Sequence, residues 1–159
     1  MDRRVFYSFH YAPDNWRVSQ IRNIGAIEGN KPASDNDWET ITKGGDKKIK
    51  GWIENQMKER TCTIVLAGVN TANRKWINHE IVKSWDDGKG VLVIFIHNLK
   101  DKEGKQCSKG ANPLYYITHS PTKKRLSTIA KAYDPPRTTS RGVYSYIEDN
   151  IDCQIYIYP

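Results

Sequence analysis

Thr-Cys-Thr-Ile-Val-Leu-Ala (residues 61–67) and Val-Leu-Val-Ile-Phe-Ile (residues 91–96) decide the fold. Each is a continuous apolar run without polar alternation, as in a strand covered on both faces. Between them, from about Arg74 to Asp87, Ile77, Ile81 and Trp85 are spaced by four behind Asn73 as a cap, and Gly88 and Gly90 end the pattern. That is an amphipathic helix. Strand, helix, strand in this order predicts parallel strands joined by right-handed crossovers.

Upstream, Arg4–Ser8 (Arg-Val-Phe-Tyr-Ser) reads as a first strand, and Asp14 as the N-cap of a helix from Asn15 to about Asn23 with Val18 and Ile21 inward. Gly25–Gly45 is rich in Gly, Asn, Pro, Ser and Asp and has no period, so it reads as a long irregular segment anchored by Trp38. Asp46 caps a further helix to about Arg60, with Ile49, Trp52, Ile53 and Met57 on one face. Downstream the signals weaken. Lys100–Pro113 is a charged loop, and Leu126–Tyr133 is an edge strand stopped by Pro135 and Pro136. Val143, Ile147 and Ile151 mark a last helix, and Ile155–Tyr158 alternates as a closing strand or a partner contact. Without internal repeats, the 159 residues read as one domain.

Composition narrows the function classes. Apolar residues make up 38% and charged residues 27%, the balance of a globular protein. No run approaches the ~20 apolar residues of a membrane span, and the charged N-terminus is no signal peptide, so a cytoplasmic protein is expected. Cys62, Cys107 and Cys153 form no C-x-x-C pair, which argues for reduced thiols. His79-Glu80 opens like H-E-x-x-H, but Lys83 replaces the second ligand, so no metal site is expected. The net charge of +7 favours an anionic partner. Aromatic–basic repeats and recognition-helix patterns are missing, which argues against nucleic acid.

Ligands of open parallel sheets bind beyond the carboxyl ends of the strands. The first strand is followed by Ser8-Phe9-His10, with neither a dinucleotide-binding glycine loop nor a phosphate loop; the two apolar strands end in Gly68-Val69-Asn70 and His97-Asn98. On the intervening helix Trp76 and Glu80 lie one turn apart, at the boundary of the apolar face. A carboxyl beside an indole is a candidate for specific chemistry. The same spacing also suits a surface Glu80 paired with Lys83 or Lys75, and a Trp76 that only fills the core.

Arg4-Val-Phe-Tyr-Ser-Phe-His-Tyr11, Trp16-Arg17-Val18, Arg22-Asn23 and Asn73-Arg-Lys-Trp-Ile-Asn-His-Glu-Ile81 resemble the TIR-like proteins that include the ThsB subunits of Thoeris antiphage systems. Lys89 through His97 and Lys109-Gly-Ala-Asn-Pro113 continue the resemblance in order. It covers residues 3–115 and leaves 116–159 as a family-variable tail. The resemblance implies an α/β, flavodoxin-like three-layer fold: a mainly parallel central sheet with helices on both faces. It also implies an enzyme that cleaves NAD at the nicotinamide–ribose bond, with NAD as substrate and no separate cofactor. The product would be a cyclic or conjugated ADP-ribose signal that activates an effector protein. Glu80 then takes the catalytic position. Ser8, Phe9, His10, Asn70, Trp76 and Asn98 are candidates for substrate binding, and Arg17 and Arg22 for phosphate contacts. Assembly into oligomers or filaments through the 25–45 segment is a further implication. Two other readings stay open: a non-catalytic adaptor, and a nucleic-acid-binding regulator.

Overall fold

The computed structural model describes residues 3–24, 27–29 and 40–157. The five strands of its main sheet are β1 (Arg3–Ser8), β2 (Ile27–Gly29), β3 (Cys62–Ala67), β4 (Gly90–Phe95) and β7 (Lys131–Tyr133). They lie in the order β2-β1-β3-β4-β7, and every neighbouring pair is parallel. A small antiparallel hairpin, β5 (Thr118–His119) with β6 (Lys124–Arg125), stands apart. The long helices among the described residues are α1 (Tyr11–Arg22), α2 (Asp46–Met57), α3 (Lys75–Asp86) and α4 (Ser140–Ile157).

Strand periodicity splits the core into two layers. Cys62, Ile64 and Leu66 of β3 join Val5, Tyr7, Leu92 and Ile94 beneath Val18 and Ile21 of α1 and Val143, Ile147 and Ile151 of α4. The alternate residues Val65 and Ala67, with Val91, Val93 and Phe95, face Ile77 and Ile81 of α3. On that same face Phe6 packs with Ile49, Ile53 and Met57 of α2. Helices on both faces explain why β3 and β4 read as unbroken apolar runs. The fold is the doubly wound, flavodoxin-like architecture.

Several sequence expectations need correction. Helix α1 starts at Tyr11, with His10 in the cap position, so Asp14 does not cap it. Pro13 in the first turn has no N–H to leave unsatisfied, which suits a start before Asp14. Asp14 is instead fully buried and pairs with Arg17 one turn on. A short parallel strand, β2, lies inside the segment expected to be wholly irregular, and residues 40–43 are helical; Trp38 lies outside the described residues. Gly45, not Asp46, occupies the cap of α2, with φ of 81°. Of the expected edge strand, only Lys131–Tyr133 pairs with β4; Leu126–Thr128 forms a 3-10 turn. The Ile-Tyr alternation does not close the sheet, because α4 continues to Ile157.

Candidate active site

Because β2 lies on one side of β1 and β3 on the other, the chain reverses its winding between β1 and β3. In such sheets the crevice at that switch point, beyond the strands' carboxyl ends, is where ligands bind. Ser8 closes β1 there and is 1% exposed. It shares the sheet face of Phe6, two residues earlier, the face that α2 and α3 cover. Glu80 reaches it from α3: the Ser8 hydroxyl donates a hydrogen bond to Glu80 Oε2. Glu80 is only 8% exposed, so it lies within the interior rather than at the helix boundary. Burial pushes its carboxyl up to about 8, and the Ser8 bond, which favours the ionised form, offsets part of that rise. Neither Lys75 nor Lys83 pairs with it. Lys75 bonds Asp46, and Lys83 bonds Asp87.

Around this pair the expected residues take different positions. His10 is half-buried two residues past Ser8, its Nδ1 without a partner, and burial together with Arg74 holds its pKa below the usual imidazole value. Asn70 is exposed on the turn after β3. Trp76, one turn before Glu80, is half-buried against the α2 cluster, with His79 edge-on at 5.7 Å and the Lys75 ammonium 5.0 Å from its ring centroid. Phe9 packs against the α1/α4 layer, the opposite layer from Glu80. Asn98 is engaged by protein partners, its side-chain amide donating to Arg137 O at 3.2 Å and its backbone carbonyl accepting from Gln106 Nε2 at 2.8 Å.

The two arginines lie apart from the Ser8–Glu80 pair and from each other. Arg17 is 4% exposed. Its Nε donates to Leu99 O at 2.7 Å, one terminal nitrogen to Asp14 Oδ1 at 3.1 Å and Pro13 O, and the other to Lys105 O at 2.8 Å. No donor nitrogen is left over for a phosphate; the side chain clamps the start of α1 to the loop after β4. Arg22 stands in the last turn of α1, which runs back toward the amino ends of the strands, and it lies near Arg60, just before β3. That is the edge opposite the crevice.

Two close approaches were not legible in the sequence. The Asp14 carboxylate lies so near Gly68 that a Cβ there has no room. A Cβ on Gly110 would sit 2.5 Å from the carbonyl oxygens of both Gly68 and Val69, so the loop before Pro113 presses directly on the crevice rim. Thr71, fully buried, accepts from Gly68 N at 2.8 Å and fixes the same turn. Among the described residues, no group of three or more His, Cys, Asp or Glu is placed to hold a metal, and no helix is long and apolar enough to cross a membrane.

A doubly wound parallel sheet with a buried glutamate meeting a serine at its switch point, and a tryptophan one turn before that glutamate, defines a TIR-like α/β domain. Residues 6–101 match the family described as Thoeris protein ThsB, TIR-like domain. The chain belongs to that family. It is also 37% identical over 122 residues to a protein of Bacillus cereus (strain MSX-D12) named "Putative cyclic ADP-D-ribose synthase ThsB1". That match takes in 74% of this chain and 64% of the relative, so the chain spans somewhat less than two thirds of the length of the relative it matches.

Proposed function

We propose that this protein cleaves NAD at the bond between nicotinamide and ribose and transfers the ADP-ribosyl group to an acceptor within the same molecule. The product is a cyclic ADP-ribose signal for a separate effector protein. The observation that carries the reading is the Ser8–Glu80 pair at the β1/β3 switch point. The name of the Bacillus cereus relative supports the same chemistry.

The pyridinium of NAD leaves as neutral nicotinamide, taking the electron pair of the C1′–N1 bond, so no strong acid is needed. Positive charge then develops on the ribose ring. A carboxylate held against the ribose stabilises that charge most strongly where water is excluded. A nucleophilic group elsewhere in the same ADP-ribosyl unit attacks C1′ and the closed product gives up one proton to solvent; attack by water would yield free ADP-ribose instead. In this reading Trp76, one turn from Glu80, lies against a nicotinamide or adenine ring, and His10 and Asn70 bond the nucleotide. NAD is substrate here, with no further cofactor.

The reactive form is the ionised carboxyl. With its pKa raised to about 8 by burial, Glu80 is mostly protonated at pH 7. Nicotinamide release, measured as kcat/KM, is therefore expected to rise with pH and level off above about 8. Ser8→Ala removes the bond that favours the carboxylate, so its profile moves to still higher pH. A profile flat from pH 6 to 9, or one that falls, contradicts the assignment.

Head-to-tail association completes the proposal. A small sheet without a phosphate-gripping loop encloses a dinucleotide poorly, and a neighbouring copy would supply the missing wall. Specific activity is then expected to rise steeply with protein concentration. Full turnover from a protein that stays monomeric would exclude this part of the reading and leave the Glu80 chemistry standing.

A further inference from the structure

Most of the chain's excess positive charge lies on one stretch outside the family match. Residues 105–133 carry six Lys and Arg and no Asp or Glu, against +7 for the whole protein. Lys109 is paired with Asp134 at 2.9 Å. Lys123, Lys124, Arg125 and Lys131 are exposed on the layer that comprises the 3-10 turn Pro113–Tyr116, the β5–β6 hairpin, the second 3-10 turn and β7. Leu114, Ile117, Leu126 and Ala130 pin this layer to Ile77 and Ile81 of α3 in one apolar cluster.

The apolar groups left outside are large and fixed. Tyr115 is 46%, Tyr116 49% and Ile129 38% exposed, half of the large hydrophobic residues exposed among the described residues. The Arg125 guanidinium lies 3.9 Å from the Tyr115 ring centroid, and Tyr116 meets the same ring edge-on at 5.4 Å. Ile129 and Ala130, together with Trp85 and Val91, line a notch of about 260 Å³. A tyrosine–arginine cluster and an apolar notch, on a layer that also exposes Lys123, Lys124 and Lys131, has the composition of a protein-binding hot spot.

We propose that this face docks an acidic segment of a partner protein, with one apolar side chain of that segment seated in the notch. The cations steer and orient the segment, while the tyrosines and the notch supply the desolvated contact. A single-stranded nucleic acid fits less well. Base stacking needs open ring faces, whereas Arg125 covers one face of Tyr115. The three successive cations also cluster at one hairpin instead of tracking a phosphate backbone. The proposal is independent of the NAD reading.

The test presents the full chain to immobilised peptides that vary net charge and one central Leu or Phe independently, and in parallel to a labelled oligo-deoxythymidine and to phosphatidylserine vesicles. Acidic peptides with the central apolar residue are expected to be retained, less so as salt rises. Retention should fall about tenfold or more in K123E/K124E/R125E and in Y115A/Y116A. Melting temperature and nicotinamide release should stay at parental values in both; if the charge reversal lowers the melting temperature, K123Q/K124Q takes its place. Failure to retain any acidic peptide, or retention indifferent to these variants, overturns the proposal. So does tighter binding of the oligonucleotide or the vesicles that the same charge reversals abolish.

Discussion

Glu80→Gln is expected to lower nicotinamide release from NAD by about 10²–10³-fold, because losing one preorganised electrostatic contact to a developing charge costs that much. Glutamine keeps the shape and can still accept the Ser8 hydrogen bond, so the fold and the crevice remain. The burial of Glu80 adds a second expectation, on stability. Its carboxyl titrates near 8 in the folded protein, well above the ordinary carboxylate value. A folded-state pKa raised in this way favours the native state fully at low pH. The advantage is lost as pH climbs from the ordinary value through 8, where a charge must be held in the interior. Glutamine has no such proton to lose. The variant is therefore expected to match the parent near pH 5 and to melt several degrees higher at pH 9. Undiminished cleavage in the variant, under conditions where the parent cleaves NAD, would remove Glu80 from the chemistry. Equal melting curves at both pH values would mean that its carboxyl is not desolvated.

Arg17→Ala is expected to give the largest loss of stability. Breaking a buried ion pair from one side costs roughly 3–5 kcal/mol, because the remaining group keeps its desolvation without its partner. Here the loss also strips donors from the carbonyls of Pro13, Leu99 and Lys105. Asp14, already pushed above its usual value by burial, would be left without the guanidinium that pulls it down. A fall in melting temperature of about 6–20 °C follows for a chain of this length. Arg17→Lys should rescue little, since one ammonium cannot span acceptors that a planar guanidinium reaches together. The measurement also separates clamp from phosphate ligand. At a temperature where the variant stays folded, its KM for NAD should be close to the parent's. A raised KM with an unchanged melting temperature would restore the phosphate-contact role.

What the sequence made legible follows from how local each signal is. The strands β3 and β4 and the inward face of α3 were readable because burial on two faces and a spacing of four leave marks within a dozen residues. Glu80 was singled out by its place one turn after Trp76, but its partner was not, since Ser8 is 72 positions away. The clamp that Arg17 forms was hidden for the same reason: two of its acceptors lie 82 and 88 residues downstream. β2 has only three residues, Ile-Glu-Gly, too few to show a period inside a Gly- and Asn-rich segment. The Ile-Tyr alternation near the C-terminus has the period of a strand, yet it continues a helix already set by Val143, Ile147 and Ile151. Local pattern lost there to the packing of the residues before it.

The central claim is that a buried glutamate at the switch point directs an ADP-ribosyl group to an acceptor within NAD itself. The most direct measurement is mass analysis of the products formed from NAD in water enriched with heavy oxygen. The account predicts nicotinamide in equal amount to a product one water lighter than ADP-ribose and free of the heavy isotope, both lost in Glu80→Gln. NAD left intact at every protein concentration, or isotope-labelled ADP-ribose as the sole product, would contradict it.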